Sequence, residues 1–198
     1  DGPETSFDTG VCHLLRNDAA RAEAAFSGLV ERTRSAVAKE RLPELSEVRN
    51  NLGVARLRMG RWNEAAAEFE RAAALDAEEP AYWVNLGITK LAGKLPAAAV
   101  TAFERARNLA PGDDDARMLL IAALESLGRS SEAAAIRAED PKAGGRAALP
   151  APPDSAGLVR LARVSKKFDR SLLRSAGEIP AGPSGKVFAG REGNGERR

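Results

Sequence analysis

The sequence predicts an all-α fold, a solenoid of stacked helix pairs, and three observations carry that prediction. The chain matches itself at an offset of 34 residues: Leu52-Gly53 returns as Leu86-Gly87, Phe69 as Phe103, Ala72 as Ala106 and Leu75 as Leu109, while Ala65, Ala99 and Ala133 stand at the same interval. A fixed period in this range marks repeated units rather than a domain closed around one centre. Within each period the apolar residues fall at helical spacing, as Val48, Leu52, Ala55 and Met59 do. Finally, 43% of the 198 residues are hydrophobic but only 5% are aromatic, so the apolar supply is mostly Ala, Leu and Val, which suits helices packed at close range.

The elements follow in order. A worn first copy spans residues 3–45, where Gly10, Ala22 and Phe26 keep the internal spacings of Gly53, Ala65 and Phe69. Gly10 and Gly53 are 43 residues apart, nine more than the period, and the extra residues are expected to lengthen a helix from Ala19 to Lys39. Pro43 and Ser46 then open the second copy, residues 46–79, whose first helix ends at Gly60 and whose second carries Ala65, Phe69, Ala72 and Leu75 on one stripe. The third copy, 80–113, repeats the plan. Pro96 begins its second helix, where a missing N–H is harmless, and Pro111 follows it. The fourth, 114–140, keeps Leu120, Leu124, Gly128 and Ala133, but Pro141 and Gly144-Gly145 cut its second helix short.

Small residues are expected where paired helices come closest, with Phe69 and Phe103 supplying bulk between neighbouring units. The pattern Trp83, Leu86-Gly87, Ala99, Phe103, Ala106, Pro111 resembles a tetratricopeptide repeat (TPR) of bacterial type. The second copy matches at Leu52-Gly53, Gly60, Ala65, Phe69 and Ala72, with Ala77 in place of the usual Pro. The fourth departs at Ile121, where the pattern has Gly, and at Arg137, where it has an aromatic residue; the first has Thr9 where Leu precedes Gly. The resemblance covers residues 3–140. It implies a right-handed superhelix of antiparallel helix pairs whose first helices line a concave face.

Beyond the array, residues 141–154 are rich in Pro, Gly and Ala and read as a linker. Residues 155–175 read as a basic amphipathic helix with Leu158, Leu161, Phe168 and Leu172 on one side and Arg160, Arg163, Lys166, Lys167, Arg170 and Arg174 around them. Residues 176–198 read as a disordered tail. Charge divides the same way. Residues 1–140 carry 18 basic and 23 acidic side chains, net −5, and residues 141–198 carry 12 and 5, net +7. The basic helix is therefore expected to fold back as a cap on the acidic array, with attachment to an anionic surface as the alternative.

Catalysis finds few candidates. Cys12 and His13 are the only thiol and the only imidazole, and adjacent helical residues point about 100° apart, so both read as semi-buried structural groups. They cannot by themselves supply a zinc site, and no glycine-rich loop ends in Gly-Lys-Ser/Thr. Asp113-Asp114-Asp115 reads as helix capping and favourable charge at a helix N-terminus. No cofactor is called for, and an enzyme contained in this chain is not expected. A single cysteine precludes an internal disulfide, and no apolar run reaches the roughly 18–20 residues of a bilayer span. The compartment is left open with the cytoplasm favoured. The opening Asp1 and the excess of Ala and Arg suggest part of a larger bacterial protein.

The expected site is the groove. Asn51 and Asn85 lie one period apart, each before a Leu-Gly pair, and the resemblance places them on concave first helices. An Asn side chain both accepts and donates, so it can bond the N–H and C=O of an extended peptide without reading its sequence. Asp8 and Leu119 take the equivalent places at the array ends, which limits such a ladder to two rungs. Asn50, Val54, Arg58, Val84, Ile88 and Met118 complete the candidate peptide-binding surface. The mixture suits an extended segment or helix with apolar side chains better than a carboxylate-terminated tail. The expected function is a non-catalytic scaffold for a protein or peptide ligand, with a structural spacer as the alternative. Nucleic acid and membrane are disfavoured as partners, and the oligomeric state is open.

Overall fold

The computed structural model describes residues 3–32, 45–139 and 155–165. These form nine helices and no strand among the described residues: α1 (Pro3–Leu15), α2 (Ala19–Arg32), α3 (Leu45–Arg58), α4 (Trp62–Leu75), α5 (Pro80–Ala92), α6 (Pro96–Leu109), α7 (Asp114–Ser126), α8 (Ser130–Ala138) and α9 (Ser155–Arg160). The first eight pack as four successive pairs, and each pair leans on the next through α2 with α3, α4 with α5, and α6 with α7. The expected extension of α2 to Lys39, the 141–154 linker and the 176–198 tail lie outside the described residues.

Sterics fix the pairing. A Cβ placed on Gly10, Gly53 or Gly87 would come within 2.6, 2.6 or 2.4 Å of the ring of Phe26, Phe69 or Phe103. Real atoms do not approach so closely, so the ring of one helix occupies the space that glycine leaves on its partner. All three rings are fully buried. The fourth pair departs from the arrangement: Ile121 stands at the glycine position and is buried, while Arg137 stands at the ring position, partly exposed, and reaches Glu125 at 2.5 Å.

Each turn inside a pair repeats a single device. Asn17, Gly60, Lys94 and Gly128 all take left-handed backbone, with φ of 60°, 75°, 60° and 72°. The residue after each donates its N–H five residues back, as in Asp18 to His13, Arg61 to Arg56, Leu95 to Lys90 and Arg129 to Leu124, at 2.8–3.0 Å. This closure satisfies carbonyls that a helix end otherwise leaves bare. It reverses the chain in the same way four times, and so holds the first helices of the pairs in one register.

A charged seam joins the first two pairs. Glu68 of α4, almost fully buried, accepts from Arg49 at 2.8 Å, Arg56 at 3.0 Å and Arg71 at 2.5 Å. Arg56 and Arg61 also reach Glu23 of α2, at 3.0 and 2.7 Å. A buried carboxylate needs such partners to stay charged.

Candidate functional site: an asparagine ladder in the concave groove

Asn50, Asn51 and Asn85 are fully buried. Their amides meet one extended stretch of the chain's own backbone. Asn85 Nδ2 donates to the Arg163 carbonyl at 2.8 Å, and the Arg163 N–H returns to Asn85 Oδ1 at 2.7 Å. One repeat earlier, Asn51 Nδ2 donates to the Ser165 carbonyl at 3.0 Å while the Ser165 N–H returns to Asn51 Oδ1 at 2.8 Å. Residues two apart on an extended chain face the same way, about 6.6 Å apart, so one period of the array spans two residues of peptide. Asn50 ties the rungs together: it accepts from Asn85 at 2.7 Å and donates to the Arg163 carbonyl and the Ser165 hydroxyl, both at 3.0 Å.

Side chains add what the backbone ladder lacks. The Arg163 guanidinium grips Asp113 through two contacts of 2.5 and 2.8 Å, with only 11% and 8% of the two side chains exposed. A forked pair of this kind is directional and strong. Burial alone would raise the Asp113 pKa, but hydrogen bonding and charge from Arg163, with the N–H groups of Ala116 and Asp115, hold it below the ordinary range. The pair is therefore intact above the usual carboxylate value near 4 and is lost as pH falls through the lowered one. Tyr82 of α5 is also buried. Burial pushes its pKa up to about 12, although the Ser46 and Ser165 hydroxyls beside it pull the other way. Leu158 is buried in the core that includes Val54, Val84 and Ile88, and Val159, Leu161, Ala162 and Val164 lie against it.

The segment is thus not one helix over 155–175. The helix ends at Arg160, α9 packs on α5, and residues 162–165 are extended; the rest of the expected span lies outside the described residues. The reason is local to the groove. A helix would consume its own N–H and C=O groups internally, whereas the Asn amides bond those groups only when they project sideways from an extended chain. The docked segment lies along the groove, against the third pair, rather than over the end of the array.

Of the residues the sequence singled out, Asn50, Asn51 and Asn85 converge on this segment, and Val54, Val84 and Ile88 lie in the core it joins. Arg58 turns away: it donates to the Leu14 carbonyl of the first pair, and burial lowers its pKa. Met118 is half-buried on α7, and no polar contact engages it. Asp113 caps α7 as expected, accepting from the Ala116 N–H at 3.1 Å, but it also receives Arg163, which sequence spacing did not signal. Tyr82 and Ser46 were missed too, since a helix-forming stretch gives no sign that both hydroxyl-bearing residues are buried. Among the described residues no three His, Cys, Asp or Glu side chains are grouped to hold a metal ion, and no helix is long and apolar enough to cross a membrane. Burial raises the Cys12 pKa, and His13 Nδ1 stands 4.0 Å from Asp18.

Comparison with known proteins agrees with this geometry. A tetratricopeptide-repeat family model matches residues 50–114, the span holding both ladder rungs. The chain carries a tetratricopeptide-repeat array. Among solved structures, a mutant O-GlcNAc transferase of Thermobaculum terrenum superposes with a TM-score of 0.53 at 26% identity, over 61% of this chain. This chain spans only 22% of that protein. No curated protein matches the sequence. TPR arrays are in general protein-interaction modules, and in this one side-chain amides bond a stretch of the chain's own backbone.

Proposed function

We propose that this TPR array is a non-catalytic docking module that takes an extended segment of a partner protein in its concave groove. The reading rests above all on the paired, reciprocal bonds of Asn85 and Asn51 to alternate residues of an extended chain. That arrangement is β-type recognition transferred to a helical surface, with main-chain bonds giving affinity and pockets for side chains giving choice. The segment runs from the third pair towards the second, so a partner is expected to lie antiparallel to the repeat order. A purely structural spacer would have no use for three buried amides turned towards one another and towards a peptide backbone. Attachment through a basic helix is disfavoured, because Arg163 is spent on Asp113.

The reading is tested with a synthetic peptide of residues 155–167, titrated into the full chain carrying Arg163→Glu to free the groove. Adding Asn51→Ala or Asn85→Ala should each weaken binding about tenfold, as expected for two lost hydrogen bonds at roughly 0.5–1.5 kcal/mol apiece. Melting temperatures of those variants should match their parent. Unchanged peptide affinity would sink the reading.

A further inference from the structure

The occupant of the groove is the chain's own segment, and it is seated as a ligand rather than as part of the core. Its main-chain N–H and C=O groups at Arg163 and Ser165 go to side-chain amides, not to a neighbouring element's backbone. Its one buried charge meets one buried countercharge, Asp113, at the N-terminus of α7. Its hydroxyl accepts from Asn50 at 3.0 Å. Fifteen residues separate Glu139 from Ser155, a span able to cover about 50 Å when extended, so α8 and the groove can be bridged within one molecule.

We propose that residues 158–165 are a built-in competitor of the partner, and that the partner presents the same pattern: an extended segment with an arginine for Asp113, a small hydroxyl residue two positions later, and leucines upstream where Leu158 and Leu161 lie. This rests on the docking role proposed above and names both its specificity and its control. The ladder accepts any backbone; the Asp113 fork selects among sequences, because a segment without the cation covers the Asp113 carboxylate with no countercharge, leaving it only its capping N–H groups. Tethering places the internal segment at an effective concentration of about 1 mM. If the same segment binds in trans with a dissociation constant near 10 μM, closure weakens an outside ligand by about 100-fold. A partner must therefore be richer in contacts, or be delivered at high local concentration, to open the groove.

The test uses full-length protein and the fluorescently labelled 155–167 peptide. Wild type should bind the peptide at least tenfold more weakly than Arg163→Glu, and in hydrogen exchange the Arg163 and Ser165 amides should be protected in wild type but not in that variant. Combining Asp113→Arg with Arg163→Glu should restore both protection and exclusion of the peptide, since the fork is then rebuilt with its charges exchanged. Equal affinity of wild type and Arg163→Glu for the peptide overturns the competitor while leaving the docking reading intact. Absence of peptide binding to Arg163→Glu, with the two amides still protected in wild type, overturns the docking reading and the competitor with it. Unprotected amides in wild type overturn the closed state outright. A concentration-dependent dimer abolished by Arg163→Glu would overturn the intramolecular form in favour of exchange between two copies.

Discussion

The middle of the array and its two ends solve the same packing problem but not the same recognition problem. In the second and third pairs a glycine faces a phenylalanine, and two residues before each glycine an asparagine faces the groove. In the fourth pair Ile121 and Arg137 replace glycine and ring, and the buried Leu119 replaces asparagine. The first pair keeps Gly10 and Phe26, adds an edge-on contact between Phe7 and Phe26 at 5.7 Å, and has Asp8 at the rung. Packing therefore survives the loss of both glycine and ring, with Ile121 buried and Arg137 turned partly to solvent towards Glu125. A ladder rung does not survive replacement, because Leu has neither donor nor acceptor and Asp, when ionised, only accepts. Stability is spread over all four pairs, and backbone recognition is confined to the two in the middle.

The most forceful way to break that comparison is Gly87→Ala. The added methyl would sit 2.4 Å from the Phe103 ring, and overpacking of this kind costs about 2–3 kcal/mol. Gly28→Ala, on α2 with nothing within 4 Å of the new methyl, should instead gain up to about 1 kcal/mol from helix propensity. Urea unfolding of the two variants separates a steric role for the paired glycines from mere helix weakening. Equal shifts in both would mean that the ring contact does not fix the pairing.

A second measurement sharpens the recognition side. Tyr82 is the chain's single tyrosine, so tyrosinate absorbance reports it alone. Its folded pKa, about 12, lies above the ordinary value near 10. The stabilisation this represents is complete below pH 10 and is lost as pH rises through 12. Arg163→Glu, by releasing the segment that helps bury the phenol, should lower the midpoint towards the ordinary value, because burial is the larger cause and outweighs the opposing pull of Ser165 that is lost with it. A midpoint that stays near 12 in that variant would show that the repeats alone bury Tyr82 and that the groove's occupant does not contribute.

How much of this was legible in the sequence divides along the same line. Gly53, Phe69, Gly87 and Phe103 were readable as packing residues because their spacing repeats, but not their partners: spacing suggested bulk between neighbouring units, whereas each ring fills the space left by the glycine of its own pair. Asn51 and Asn85 were readable for the same reason, one period apart before identical dipeptides. Arg163 was not: by spacing it belongs to the basic face of a helix, and what makes it extended is Asn85, 78 residues away, together with Asp113, 50 residues away. Local pattern cannot register a conformation imposed by distant side chains. Asp113 was hidden by its own competence, since a capping aspartate before α7 already explains the residue.

The smallest effect concerns the turns, where the middle of the array is itself divided. Gly60 and Gly128 take left-handed backbone at little steric cost, whereas Lys94, at the same position one period on, holds φ of 60° with a side chain attached. For a residue with a Cβ that conformation costs roughly 1–2 kcal/mol, and glycine gives part of the gain back through the greater freedom of its unfolded chain. Lys94→Gly should therefore stabilise the array by about 0.5–1 kcal/mol, and Gly60→Ala should destabilise it by a similar amount. Both are read from urea midpoints at unchanged slope. The sign is what matters. If Lys94→Gly destabilises instead, the Lys94 side chain earns its place by a contact stronger than the strain, and the four turns are not one device repeated.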